Sequence, residues 1–262
     1  MEKMKKHFVL IHGACHGAWC WYKVSTLLKS AGHKVTALDM AASGIHPKQM
    51  HEVKSMSEYF EPLIKFIGSL PEEDKVILVG HSMGGLCVSA AMERFPHMIS
   101  VAVFASAFMP GPDLSSHTLR QELYQRRSDS DMDSEIIFGN GPANPPTEIL
   151  FGPQFLKSKL YQLSPPEDLA LAISLLRPTL LNRDVQVVEK EMAVTRDNYG
   201  SVVRLFIVCE QDNVIKQDFQ RWMIQENPPN EVKVIAESDH MPMFSKPQEL
   251  CSILQQIADA YY

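Results

Sequence analysis

Cysteine is sparse in this 262-residue sequence, and its placement excludes more than it suggests. Cys15, Cys20, Cys87, Cys209 and Cys251 are scattered, odd in number and contain no C-x-x-C pair. A disulfide framework and a zinc site are therefore not expected, and buried thiols are the reading. Long apolar runs are missing, so no segment is expected to span a bilayer. The short charged start, Met1 to Lys6, is followed by too brief an apolar run for a signal peptide, which leaves a soluble, cytoplasmic protein as the expectation. Basic clusters are missing too. With a formal net charge of −6, neither nucleic acid nor a membrane surface is an expected partner. No G-x-G-x-x-G and no P-loop occurs, and the ligand types in His12-Gly13-Ala14-Cys15-His16 fit an extended loop better than a metal site. No cofactor and no metal is expected.

What remains is ordinary globular material, 45% hydrophobic and 21% charged, enough for one large α/β domain with an insertion. Short apolar runs alternate with helical periodicity. Strands are read at Phe8–Ile11, His33–Asp39, Val76–Val79 and Ile99–Ser106, and helices at Trp21–Ser30, Ser57–Ser69 (with Ser57 as its cap) and Met83–Phe95. Nearly continuous apolar strands between helices predict a mainly parallel sheet covered on both faces. Its binding site belongs at the carboxyl ends of the strands. The pattern breaks at Met109-Pro110-Gly111-Pro112. Residues 110–178 are polar, proline-rich and weakly periodic, and read as an inserted cap with short helices of its own, one of them over 168–176. The core is then 1–109 plus 179–262, with further strands at Val202–Cys209 and Val232–Ala236 and a closing helix over Gln248–Tyr261.

Gly80-His81-Ser82-Met83-Gly84 fits G-x-S-x-G between a strand and a helix, the setting of a nucleophile elbow. Ser82 is the candidate nucleophile, and the Met83 N–H, at the helix start, is a candidate oxyanion donor. A serine needs a base, and the base an acid, in the chain order Ser, Asp or Glu, His. His240, after the last strand, is the only histidine beyond position 117. Asp212 follows the strand ending at Cys209 and is the preferred acid. Glu210 competes with it, while Asp197, Asp218 and Asp239 are less well placed. The small residues of His12-Gly13-Ala14 let backbone approach a substrate, with Ala14 as second oxyanion donor. His12 and His81 read as scaffold or pocket-wall groups.

With these residues in view, the chain resembles the plant methylesterase and hydroxynitrile lyase family of α/β-hydrolases. The resemblance is carried by His7-Phe8-Val9-Leu10-Ile11-His12-Gly13-Ala14-Cys15-His16-Gly17-Ala18-Trp19, Gly32 to Asp39, Lys75 to Ser82, Pro166 to Ala172 and Asp239-His240-Met241. It implies a serine esterase that hydrolyses methyl esters of small acids of phytohormone or alkaloid type through an acyl-enzyme. By the same resemblance the lyases carry Thr at the position of Gly13 and Lys at that of Met241, so this chain lacks the cation that stabilises departing cyanide. Ser43 to Gln49 and Asn140 to Thr147 are similar to segments of methylketone synthase, a decarboxylase that has lost the serine and the acid kept here as Ser82 and Asp212. The resemblance also implies Phe108, Tyr124, Met132, Phe138 and Leu181 as pocket walls beside Gly13, His12, His81 and Met241, and a homodimer. A lyase or decarboxylase on the same scaffold, and a non-catalytic ligand receptor, are the rival readings.

Overall fold

The computed structural model describes residues 5–126, 131–181 and 185–262. Nine strands are found among them. Six form one sheet: β1 (His7–Ile11), β2 (Lys34–Leu38), β3 (Val76–Ser82), β4 (Ile99–Ala107), and, after an insertion, β8 (Arg204–Cys209) and β9 (Glu231–Ile235). The order is β2-β1-β3-β4-β8-β9 and every neighbouring pair is parallel. All six strands therefore point their carboxyl ends to one edge.

The apolar strands alternate between two cores, because successive side chains leave a strand on opposite faces. Val9, Ile11, Leu78, Phe104, Phe206 and Val208 meet Leu63, Ile67, Cys87, Val88, Phe219 and Met223 on one face. Phe8, Leu10, Ile77, Val79, Val103 and Ile207 meet Val24, Leu28, Leu250, Leu254 and Ile257 on the other. Burying each large side chain stabilises the fold by about 1.5–3 kcal/mol. The covering helices are Tyr22–Ser30 and Pro247–Tyr261 on the second face, and Glu61–Gly68, Gly84–Arg94 and Gln217–Glu226 on the first.

One helix expectation is corrected. The stretch read as Ser57–Ser69 is two helices, Met56–Tyr59 and Glu61–Gly68, and the cap is Ser55, whose Oγ accepts from the Glu58 N–H at 3.0 Å. Pro62 has no N–H to continue a helical ladder, so it opens a new helix instead. The helix read from Trp21 starts at Tyr22, after a 3₁₀ turn over Ala18–Trp21.

Between β4 and β8 the chain builds the helix Ser116–Arg126, then β5 (Glu135–Ile137), β6 (Glu148–Leu150) and β7 (Thr179–Leu180), an antiparallel sheet of its own. A π-helical turn, Leu156–Leu160, and the helices Pro166–Leu175 and Val185–Glu191 complete it. The sheet was not expected, and β7 extends it past residue 178. Asn140 to Pro146 forms the β5–β6 connection, with Gly141 at φ +88°.

Buried polar contacts fasten this insertion to the sheet domain. Asp168, almost wholly buried, receives Lys23 Nζ at 2.5 Å and the Tyr22 hydroxyl at 2.9 Å. The Arg177 guanidinium donates to the carbonyls of Gly44, His46 and Lys48 at 3.1, 2.7 and 2.6 Å. Asp239 accepts from the Leu163 N–H and the Ser164 hydroxyl at 2.9 and 2.8 Å.

Candidate active site

Ser82 ends β3 with φ +53°, in the left-handed region that a residue with a side chain adopts at a cost. The glycines around it explain how the turn closes. A Cβ on Gly84 would lie 2.6 Å from the His12 carbonyl oxygen, and one on Gly80 would lie 2.8 Å from the Gly84 carbonyl oxygen. Helix Gly84–Arg94 starts directly behind Met83, so the first N–H groups of that helix lie beside Ser82 with no intrahelical acceptor.

Asp212 follows β8, and His240 follows β9. Their side chains meet: His240 Nδ1 lies 2.6 Å from Asp212 Oδ2, both residues being buried. The other carboxylate oxygen, Oδ1, accepts the N–H groups of Val214 and Ile215 at 2.7 and 2.9 Å, and the Ser106 hydroxyl donates to Oδ2. Four donors thus surround a carboxylate that water does not reach, which is what a buried charge requires. The competing acids are engaged elsewhere. Glu210 accepts from Gln217 Nε2 at 2.7 Å, Asp218 pairs with Arg126, and Asp239 holds Leu163, Ser164 and the Met241 N–H.

Ser82, His240, Gly13, Ala14, His16 and His81 border one small cavity, which adjoins a larger one bordered by Ser82, Met83 and Ala14. With Nδ1 turned to Asp212, His240 has Nε2 left for the serine side. His81 Nε2 lies 2.7 Å from the His240 carbonyl, so it carries the proton, and its Nδ1 is buried without a partner. Burial first, and the neighbouring His240 second, hold its pKa well below the usual range, so the ring is neutral.

The loop after β1 is pinned by two histidines. His12 Nε2 accepts the Met40 N–H at 3.1 Å, so its Nδ1–H donates to the Gly13 carbonyl at 2.8 Å. His16 Nε2 accepts the Tyr161 hydroxyl at 2.7 Å, and its Nδ1–H donates to the Ala14 carbonyl at 2.7 Å. Burial lowers the His16 pKa to about 3, so this ring too is neutral. A Cβ on Gly13 would come within 2.8 Å of Ser82 Cβ and 3.0 Å of His81 Nδ1.

Of the expected pocket walls, Phe108, Leu181 and Tyr124 border the larger cavity, Tyr124 at its half-exposed rim. Met132 and Phe138, each 44% exposed, border neither cavity. Both belong to the insertion but lie outside its strands, Met132 in a turn before β5 and Phe138 just after it. His12 and Met241 border neither cavity and are wholly buried, because His12 spends both nitrogens on backbone and Met241 packs into the second core. Walls that were not expected include Ile149, Phe151, Phe155, Val214 and Ile215. Ser106, His16 and Tyr161 were not expected at the site either. Among the described residues, no group of three or more His, Cys, Asp or Glu is placed to hold a metal ion, and no helix is long and apolar enough to cross a membrane.

A parallel sheet with a serine elbow on its third strand in the chain, and an acid and a histidine after its last two, defines a hydrolase of the α/β class. The chain belongs to the alpha/beta hydrolase family, whose family model matches residues 8–253. Within it, the chain falls in the plant methylesterase family. It is 61% identical to methyl jasmonate esterase 1 of Vitis vinifera over 261 residues, covering 100% of both chains. It is 48% identical to methylesterase 10 of Arabidopsis thaliana, covering 99% of this chain and 94% of that one. Tomato methylketone synthase I, solved with 2-tridecanone, superposes with a TM-score of 0.95 at 49% identity, covering 99% of this chain and 100% of that one.

Proposed function

We propose that the protein is a carboxylic ester hydrolase that cleaves methyl esters of small carboxylic acids through an acyl-enzyme on Ser82. The observation that carries this reading is the pairing of His240 Nδ1 with Asp212 at 2.6 Å, beside a cavity that His240 shares with a serine held at φ +53°.

In this reading the Asp212 carboxylate keeps the His240 proton on Nδ1 and stabilises the imidazolium that forms. His240 Nε2 takes the Ser82 proton as Oγ attacks the ester carbonyl. The N–H groups of Ala14 and Met83 receive the oxyanion. His240 then protonates the departing methoxide, and water releases the acid by the same route. The apolar wall of the larger cavity suits an alicyclic or aromatic acyl group with a small leaving group. The lack of room at Gly13 for a side-chain hydroxyl supports hydrolysis over the lyase chemistry of the family. Five buried, unpaired thiols suit a reducing compartment, and we place the protein in the cytosol. The insertion between β4 and β8 serves as the cap, and by resemblance the working unit is a homodimer.

The test is Ser82→Ala, assayed by methanol release from a panel of methyl esters. Turnover is expected to fall by about 10⁴–10⁶ with the thermal unfolding midpoint retained. Undiminished turnover in the variant would overturn the assignment.

A further inference from the structure

The two cavities that meet at Ser82 and Ala14 differ in size and in what else borders them. The larger measures about 170 Å³ and the smaller about 30 Å³. His240 borders the smaller and not the larger. A leaving oxygen that takes a proton from His240 has to lie within its reach. The alcohol side of a bound methyl ester therefore falls in the smaller cavity, and the acyl side in the larger. A cavity needs on the order of 10–15 Å³ for each water-sized group, so the smaller one takes about two, the carbon and oxygen of a methoxy group.

The walls of the small cavity set what else enters it. Phe151, Leu160 and Val214 form its apolar side. His16 has both ring nitrogens engaged, by the Ala14 carbonyl and the Tyr161 hydroxyl. His81 has Nε2 engaged by the His240 carbonyl, and its Nδ1 is buried. With Ser82 acylated, His240 Nε2 is the side-chain partner open to a guest. A water molecule asks for two to four partners, whereas an alcohol needs one and buries its carbon.

We infer that the small cavity is an acceptor site for short primary alcohols, so that the acyl-enzyme on Ser82 transfers its acyl group to them as well as to water. This rests on the esterase reading and adds an acyl-transfer activity to it. The alcohol gives its O–H proton to His240 Nε2 as its oxygen bonds to the acyl carbon. The bond from that carbon to Ser82 Oγ then breaks, and His240 returns the proton to Oγ. A new ester leaves, the free serine is restored, and no other reactant is consumed. Leu160, 2% exposed, borders this cavity and not the larger, so its side chain sets the length of alcohol accepted.

The test is turnover of methyl phenylacetate in water and with trideuteromethanol, ethanol or 1-butanol added, reading free acid and new ester by gas chromatography. At equal molarity trideuteromethanol is expected to outcompete water about fourfold or more, the value of one buried carbon. 1-Butanol is expected to fall at least about tenfold below it, because the longer chain overfills the cavity. Leu160→Ala, and the milder Leu160→Val should the first fail to fold, are expected to raise 1-butanol relative to methanol several-fold. Equal use of methanol and 1-butanol by the wild type, or an unchanged alcohol profile in the folded variants, overturns the acceptor site. Free acid without any new ester overturns it too and leaves the esterase reading standing. No acid from the methyl ester in water counts against the esterase reading itself and takes the acceptor site with it.

Discussion

Ser106 and His240 meet on one oxygen atom: the Ser106 hydroxyl donates to Asp212 Oδ2, the acceptor that also holds His240 Nδ1. Ser106 sits near the end of β4 with φ +41°, so the strand distorts to bring the hydroxyl there. Ser106→Ala leaves Asp212 with three donors instead of four. We expect kcat to fall roughly tenfold, in line with the loss of one hydrogen bond to a charged acceptor. Asp212→Asn, which removes the tautomer control of His240, should cost about 10⁴. Burst-phase kinetics with p-nitrophenyl acetate measure both, and equal losses would refute the ranking.

The His16–Tyr161 pair connects the insertion to the loop that carries Ala14. Tyr161→Phe removes the hydroxyl that His16 Nε2 accepts and should destabilise the protein by about 1 kcal/mol in urea denaturation. His16→Phe releases the Ala14 carbonyl as well. It should lower kcat roughly tenfold and leave KM nearly unchanged, because the loop acts on the oxyanion more than on the ground state. A rise in KM alone would show that the loop serves binding only.

Gly13 and Gly85 give opposite outcomes. A Cβ at Gly85 would stand 2.1 Å from the Phe108 carbonyl oxygen, so helix Gly84–Arg94 would have to move off β4. Gly85→Ala should destabilise by about 1–3 kcal/mol, as overpacking does, and should lower the thermal midpoint. Gly13→Ala crowds Ser82 and His81 instead, and is expected to cut turnover at least tenfold with a smaller effect on the midpoint. Similar midpoints for the two variants would contradict this division.

Acid should weaken the fold. Burial, and then the Lys34 charge, lower the His7 pKa to about 4, and burial lowers that of His16 to about 3. Burial also lowers those of His12 and His81. The unfolded chain takes up protons below about pH 6.5 that the folded chain refuses, so the unfolded state gains as pH falls. The stability these rings lend is complete above about pH 6.5 and is lost progressively as the pH falls from there to the folded values of about 4 and 3. The urea midpoint should drop between pH 7 and 5, with a shallower slope in His16→Gln. A midpoint that rises over that range would sink the prediction.

The elbow was legible because it is local: Gly80, Ser82 and Gly84 fall within five residues, between an apolar strand and a helix. Asp212 and His240 were legible because parallel strands deliver their following loops to one edge. Asp212 was preferred to Glu210 although both stand just past β8, and the geometry adds that Glu210 is taken up by Gln217. The sheet of the insertion left little trace, because strands of two and three residues have no measurable period. Ser106 and His16 are single polar residues with partners far away in the chain, and nothing in their neighbours marks them. Met132 and Phe138 lie half-exposed and away from both cavities, because in a segment read only by resemblance an apolar side chain says nothing about which way it faces.

The burial of the five cysteines has a practical side. Cys15, Cys20, Cys87, Cys209 and Cys251 are shut away from solvent, and burial pushes Cys15 and Cys87 up to about 12. Thiolate is the form that attacks a disulfide dye and releases its coloured thiolate, so almost no exchange occurs while the chain is folded. Unfolding uncovers all five together. The protein thus carries its own colorimetric clock, silent during catalysis and started by each global opening of the fold.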